Sequence, residues 1–207
     1  ENINKDSQPD AIINSWWDFG HHFKYLADRA VTFDGASQNR PQAHWIGRVL
    51  LTDNEREAVG ILRMLDCGGN KGPDMLSEHL GNTKRAVDII YDIVVLDRPE
   101  AKEVLKENGI SEELQEELLE RTHCEPPENY FIASQDMIGK AGVWSHFGGW
   151  NFERAYVWTN FRDLPQDEAI PLIMKELNYT EKQAENIYLD ANSIVGEQAG
   201  NTWISSW

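Results

Sequence analysis

Apolar residues recur at helical spacing along most of this chain, and only a few short runs have the character of strands. Ala58, Ile61, Leu62 and Leu65, for example, form one stripe of the kind that a helix buries. Ser, Thr and Asp at capping positions indicate where several helices begin. We predict helices over 41–51, from Thr52 with Glu55 to before Gly68, over 72–81, over 83–97, after Asp97 with Glu100, from Ser111, from Asp136, over 165–177, and over 181–190 after Thr180 with Gln183.

Three short strands complete the predicted elements, over 11–16, 29–33 and 129–135. The helix from Asp136 contains Gly139 and Gly142, and these glycines predict a kink. The fold class is therefore mainly α with a few short strands (α+β), with a compact helical core. We predict a single domain over 1–207, and the glycine-rich end, 196–207, carries no pattern that assigns it to an element.

Charge and composition exclude several classes of function. The chain carries 35 acidic against 19 basic residues, a net charge of −16, which argues against binding nucleic acid through a broad basic face. Its apolar runs are too short to span a bilayer, and its first ten residues lack the basic and apolar regions of a signal peptide. The chain is therefore expected to be cytosolic or to be cut from something longer.

The segment "SWWDFGHHF", Ser15 to Phe23, contains an unusual set of polar groups. A buried alcohol needs one acceptor for its proton and up to two donors for its lone pairs. Trp16, Trp17 and Asp18 supply two indole N–H donors and one carboxylate, so they could bind a Ser or Thr hydroxyl. The alternative is that the tryptophans belong to the core and Asp18 caps a turn. A metal site formed by Asp18, His21 and His22 is a further alternative, although its spacing is not diagnostic.

A second segment, "SQDMIGKAGVW", places Met137, Lys140 and Trp144 at i, i+3 and i+7, which is one helical face. A lysine on such a face is unusual, because lysine is rarely buried without a partner. The alternative is a solvated lysine beside two core residues.

Two smaller features leave alternatives open. Cys67 and Cys124 lie in loop-like segments, and they are either a disulfide or two unrelated free thiols. No cysteine or histidine spacing indicates a zinc site. Asn178-Tyr179-Thr180 is the chain's only N-glycosylation sequon, and it lies before a predicted helix.

"WWDFG" resembles the WWDYG motif in the catalytic subunit of oligosaccharyltransferase, the enzyme of asparagine-linked glycosylation, with Phe19 in place of Tyr. "AHWIGRVLLTDNEREAVGILRMLD" resembles the helices that follow this motif in the family. "SQDMIGKAGVW" resembles the family's second motif, although Asp136 lies one residue too early for its Asp-first form. The resemblance covers roughly residues 8–160 and leans toward an archaeal member.

The resemblance implies that Trp16, Trp17 and Asp18 bind the hydroxyl of Ser or Thr in an acceptor polypeptide with the sequence Asn-X-Ser/Thr. It implies that Met137, Lys140 and Trp144 lie near this pocket, and that this fragment holds no catalytic residue. A multi-span membrane part, absent here, is implied to hold Mn²⁺ or Mg²⁺ and the lipid-linked oligosaccharide. The fragment itself would bind no metal or nucleic acid and would be inactive alone.

The implied location is the extracytoplasmic face of the cell membrane, and this favours a disulfide between Cys67 and Cys124. Two other classes of function stay open beside the transferase. One is an extracytoplasmic carbohydrate-binding module that uses exposed tryptophans, and the other is an acidic structural domain with buried ones.

Overall fold

The computed structural model describes residues 2–206. The described chain forms two compact units, 1–149 and 150–207, and each is described here by itself. The single domain predicted over 1–207 stays a prediction, and its end residues Glu1 and Trp207 lie outside the described residues.

The first unit is mainly helical, which confirms the predicted fold class. Its elements in chain order are α1 (Asn2–Asp6), β1 (Ile12–Asn14), a 3₁₀ turn (Trp17–Phe19), α2 (Gly20–Ala27), β2 (Ala30–Val31), α3 (Gln42–Leu51), α4 (Glu55–Gly68), α5 (Lys71–Leu80), α6 (Thr83–Val94), α7 (Arg98–Glu107), α8 (Glu112–Thr122), β3 (Asn129–Phe131), α9 (Asp136–Gly139) and α10 (Ala141–Gly148).

The predicted helix starts are confirmed in α7 and α8 and wrong in α4. Asp97 forms a capping box with Glu100 at the start of α7, and the Ser111 side chain accepts from the Leu114 N–H in α8. The N-cap of α4 is Asn54, not Thr52, because the Asn54 side chain accepts the N–H groups of the first turn. Thr52 instead donates its hydroxyl to Glu57 Oε2, 2.6 Å away.

The strands form one small parallel sheet with β1 in the centre. Ile12 of β1 is in register with Ala30 of β2 and with Asn129 of β3. All three strands are shorter than predicted, since β1 ends at Asn14 and β3 ends at Phe131. The end of β1 leads directly into "SWWDFG", so the sheet fixes the position of that segment.

The helix predicted from Asp136 is divided by a break at Lys140, which confirms the predicted kink. Lys140 caps the end of α9 and the start of α10, with a backbone φ of −106° that departs from the helical value. Helix α10 then packs on α3 at very close range. A Cβ added at Gly148 would lie 2.3 Å from the carbonyl carbon of Gly47, so these two glycines allow the backbones to meet.

The second unit is built from α11 (Phe152–Asn160), α12 (Gln166–Leu177), α13 (Glu181–Ser193) and α14 (Glu197–Ile204). Helices α12 and α13 follow the prediction, and Thr180 forms the predicted capping box with Gln183. Helix α14 occupies most of the end segment that the sequence left unassigned. Across residues 2–206, no helix is both long and apolar enough to cross a membrane.

Candidate functional site

Trp16 packs into the core at the end of β1, yet its polar atom has no partner. The side chain is 1% exposed and its ring lies edge-on to Phe33, with centroids 5.3 Å apart. A second aromatic contact, to Phe147 of α10, spans 6.3 Å. The buried Nε1 has no hydrogen-bond partner among the described residues. Since buried polar groups are normally paired, this indole N–H is a free donor.

Trp17 and Asp18 follow in the 3₁₀ turn. Trp17 is half-buried, and the Asp18 side chain retains 18% of its exposure. Asp18 Oδ1 accepts a hydrogen bond from Lys140 Nζ. Asp18 Oδ2 is buried and has no partner in the described chain. The segment therefore contains one buried unpaired acceptor and, two residues before it, one buried unpaired donor.

Lys140 links this turn to the second motif. Its ammonium binds Asp18 and lies 3.4 Å from Asp136 Oδ2 on α9. The hydrogen bond to Asp18 raises the pKa of Lys140, and Asp136 adds to the shift. The Asp136 carboxylate also accepts the Ser134 hydroxyl, which lowers its pKa. The ammonium thus stays charged between two carboxylates, and the predicted segments "WWD" and "DMIGK" meet through it.

Met137 and Trp144 flank the break in the helix. Met137 is 5% exposed, and its carbonyl oxygen accepts from Trp144 Nε1 at 2.8 Å. Trp144 is half-buried. This indole N–H is therefore already used within the motif, whereas that of Trp16 is not.

The structure does not assemble the metal site that Asp18, His21 and His22 suggested. His21 Nδ1 lies 3.7 Å from Asp34, and the His22 ring packs edge-on to Phe19 at 5.9 Å. The described residues contain no group of three or more His, Cys, Asp and Glu side chains placed to hold a metal ion. They accordingly do not fit the Mn²⁺ or Mg²⁺ that the resemblance implies for the membrane part.

A polar network behind β1 was missed by sequence analysis. Asn14 Nδ2 donates to Asp66 Oδ1 at 2.9 Å, and the Thr32 hydroxyl donates to Asn14 Oδ1 at 2.5 Å. Burial raises the pKa of Asp66 to about 6, although hydrogen bonds from Asn14 and from the Thr32 hydroxyl, which lies 3.5 Å from Asp66 Oδ1, oppose the shift. The only available signal was an asparagine after "AII". This network anchors the strand two residues before Trp16.

His44 was also missed, because its sequence context suggested no role. Its Nδ1 lies 2.9 Å from the Phe147 carbonyl oxygen on α10, and its Nε2 lies 2.8 Å from the Tyr91 hydroxyl on α6. Desolvation lowers the pKa of His44 to about 4, so the ring is neutral at pH 7. Nδ1–H therefore donates to Phe147, and Nε2 accepts from Tyr91. Through these two hydrogen bonds, His44 on α3 connects α10 to α6.

Cys67 at the end of α4 and Cys124 after α8 form a disulfide, with their Cα atoms 5.7 Å apart. The bridge joins two helices of the core rather than the candidate site itself.

Comparison with known sequences identifies relatives of this chain. Residues 9–154 match the family described as the STT3/PglB/AglB core domain. A protein of Methanocaldococcus jannaschii named dolichyl-phosphooligosaccharide-protein glycotransferase is 40% identical over 156 residues. A protein of the same name from Methanococcus voltae is 37% identical over 156 residues. The match covers 72% of this chain but only 17% of each relative. No solved structure matches the chain significantly.

Proposed function

The chain belongs to the STT3/PglB/AglB core-domain family, and from this membership we infer that it is the acceptor-recognition part of an oligosaccharyltransferase. The whole enzyme would transfer a lipid-linked oligosaccharide to asparagine in the sequence Asn-X-Ser/Thr. In this proposal the chain binds the Ser or Thr hydroxyl, and the catalytic residues lie in the rest of the protein.

The observation that carries the proposal is the pair of unpaired buried atoms, Trp16 Nε1 and Asp18 Oδ2. A ligand hydroxyl donates one hydrogen bond and accepts up to two, so it complements an indole donor and a carboxylate acceptor. Alanine in the same place would leave both atoms unpaired. Sites of this kind can reject a ligand that lacks the hydroxyl by about four to five decades.

Lys140 prepares Asp18 for this role. Its hydrogen bond to Oδ1 orients the carboxylate and leaves Oδ2 as the acceptor. We propose that Met137 and Trp144, beside Lys140, contribute apolar contacts to the methyl group of a sequon threonine.

The remaining partners belong to the proposed whole enzyme. A membrane part would hold the lipid-linked donor and the Mn²⁺ or Mg²⁺, and its active side would be extracytoplasmic. The Cys67–Cys124 disulfide supports that location, because disulfides persist mainly in oxidising compartments. No step proposed for the residues of this chain passes through a metal.

A carbohydrate-binding module is less well supported. Such modules stack sugars on exposed aromatic rings. The tryptophans within residues 2–206 are all buried or half-buried.

Substitution of Asp18 in the full-length enzyme tests the proposal. Losing the partner of a buried donor costs about 1–3 kcal/mol, so Asp18→Ala should lower kcat/KM for an Asn-X-Thr peptide roughly 5- to 150-fold. Asp88→Ala, which removes an exposed carboxylate from an ion pair on α6, should leave kcat/KM unchanged. Parental turnover by a folded Asp18→Ala enzyme would refute the assignment.

Lys140→Met extends the same assay. The Lys140 side chain is 37% exposed, and such ion pairs contribute only about 0–1 kcal/mol to folding. We therefore expect near-normal unfolding but reduced peptide use. Lys102→Met, which breaks an exposed pair with Glu116, is the matched control. The Thr-to-Ser ratio of kcat/KM in Met137→Leu and Trp144→Phe variants reports on the methyl contact.

A further inference from the structure

The sequon Asn178-Tyr179-Thr180 forms the turn between α12 and α13. Asn178 ends α12 in the left-handed conformation, with φ of 53°, and its backbone N–H bonds to the Met174 carbonyl oxygen. The residue is exposed, and its side-chain amide makes no hydrogen bond within residues 2–206. The acceptor amide therefore belongs to an exposed residue and has no hydrogen bond within residues 2–206 that a substituent would break.

The hydroxyl of Thr180, the third residue of the sequon, is already hydrogen-bonded within the folded chain. The Thr180 hydroxyl accepts from the Gln183 N–H at 3.4 Å and donates to Gln183 Oε1 at 2.7 Å. The same Oε1 accepts the Thr180 N–H at 3.0 Å, which completes the capping box. A hydroxyl used in this way cannot enter a recognition pocket unless the start of α13 opens.

The middle residue is fixed as well. Tyr179 donates its hydroxyl to Glu153 Oε2 on α11 at 2.6 Å, and its N–H bonds to the Met174 carbonyl oxygen at 3.1 Å. Behind the turn, α12 and α13 pack their buried residues together in the core of the second unit. The folded turn thus offers an accessible asparagine within a backbone that cannot extend.

We propose that Asn178 is an acceptor for asparagine-linked glycosylation, and that it is modified before the turn between α12 and α13 forms. In the folded chain its amide is exposed, so a glycan attached earlier is compatible with the final structure. The Thr180 hydroxyl is available to a transferase only while the capping box is unmade. The site lies in the second unit, outside residues 9–154, and is a modification of this chain rather than part of its own pocket.

The reaction joins Asn178 Nδ2 to the anomeric carbon of an oligosaccharide linked to a lipid through phosphate. The new N–C bond replaces the C–O bond to the phosphate. The phosphate leaves with the bonding electron pair, and one amide proton passes to a base. No oxidant or reductant is needed.

Two substitutions at Thr180 separate the sequon from the helix cap. Serine keeps both the cap and the sequon, because its hydroxyl can accept the N–H of the first helical turn and Asn-X-Ser is still a sequon. Aspartate keeps the cap and destroys the sequon. In full-length protein from the native host, peptide mass spectrometry should find a glycan on Asn178 in the parent and in Thr180→Ser, and none in Thr180→Asp. An unmodified Asn178 in both the parent and Thr180→Ser overturns the proposal.

The timing is tested with folded and unfolded acceptors. Unmodified folded chain and a synthetic peptide of residues 172–186 are offered at equal concentration to the full-length enzyme with its lipid-linked donor. We expect the peptide to be modified at least about tenfold faster, and equal rates would overturn the claim that modification precedes folding.

The in vitro assay rests on the proposed function, so an unrelated sequon peptide is offered to the enzyme as a second acceptor. Its result separates a failure of the proposed function from a failure of the present inference. If the enzyme modifies neither peptide, the proposed function fails, while the mass analysis of Asn178 still decides whether the residue is an acceptor. If the unrelated peptide is modified and Asn178 is bare in the native protein, only the present inference fails.

Discussion

Asp66 holds β1 in place at an energetic cost. Its carboxylate accepts from Asn14 through Oδ1, but its buried Oδ2 has no partner among the described residues. Burial therefore dominates and raises the pKa of Asp66 to about 6 from 3.8. A carboxylate with a raised pKa is charged at pH 7 at the expense of folding stability.

Asp66→Asn should remove this cost. Between pH 4 and 6 the folded chain binds more protons at residue 66 than the unfolded chain does, so this group lowers the free energy of unfolding as pH rises. The variant should match the parent near pH 4 and exceed it by about 1–3 kcal/mol above pH 7, from the size of the shift. Urea titrations from pH 4 to 8 measure the difference. A difference between Asp66→Asn and the parent that stays flat across this pH range would contradict the assigned pKa.

The sequence indicated the side chains of the candidate site better than the residues that support them. The donor and acceptor content of Trp16, Trp17 and Asp18 follows from residue type alone, and Lys140 was notable because lysines rarely lie on an apolar face. Asn14 and His44 gave no such signal, because their roles depend on partners 52 and 103 residues away in the chain. The choice of Asn54 rather than Thr52 as the N-cap of α4 was also not predictable, because both residue types can cap a helix and only the backbone geometry decides between them.

Helices α3 and α10 show how glycine positions a motif helix. A Cβ on Gly47 would lie 2.5 Å from the Trp144 carbonyl oxygen and 2.7 Å from the Gly148 nitrogen. Both atoms are backbone and cannot rotate away. The two helices therefore fix α10, and with it Lys140, at backbone contact distance.

Gly47→Ala should accordingly destabilise the chain by about 1–3 kcal/mol, the usual cost of overpacking. In the full-length enzyme, peptide use should also fall, because α10 must move. Gly142 lies in α10, and a Cβ added there would have nothing within 4 Å. The free energy of unfolding of Gly142→Ala should therefore equal that of the parent or exceed it by up to about 1 kcal/mol. Urea unfolding of both variants measures the contrast. Equal stabilities would mean that the close approach is relaxed in solution.

Periodicity and capping residues predicted most helices, since these signals are local. Helix α2 was missed because "GHHFKYLA" has no clean apolar stripe, and much of it is exposed. Strand order could not be predicted at all. The sheet joins segments that are far apart in sequence, and short strands do not encode their partners.

The whole chain combines a strong negative charge with a covalent bridge. A net charge of −16 opposes compaction of this chain through self-repulsion. The disulfide between Cys67 and Cys124 restricts the unfolded chain over a sequence separation of 57 residues.

Replacing both cysteines with alanine should lower the free energy of unfolding by about 4 kcal/mol in the loop-entropy model. Urea unfolding with and without reductant checks this value, and the reduced parent should resemble the double variant. If the reductant has no effect on the parent and mass analysis finds two thiols, the bridge does not form in solution.

The order of strands in the sheet also bears on protein synthesis. Ser15, next to β1, bonds to Ile132, next to β3, and 117 residues separate them. At about 5–20 residues per second, the ribosome makes β1 roughly 6–23 s before β3. During that interval one side of β1 has no strand partner, and Lys140 does not yet exist to orient Asp18. A nascent chain therefore carries its Trp-Trp-Asp segment well before Lys140, the residue whose ammonium binds Asp18, has been made.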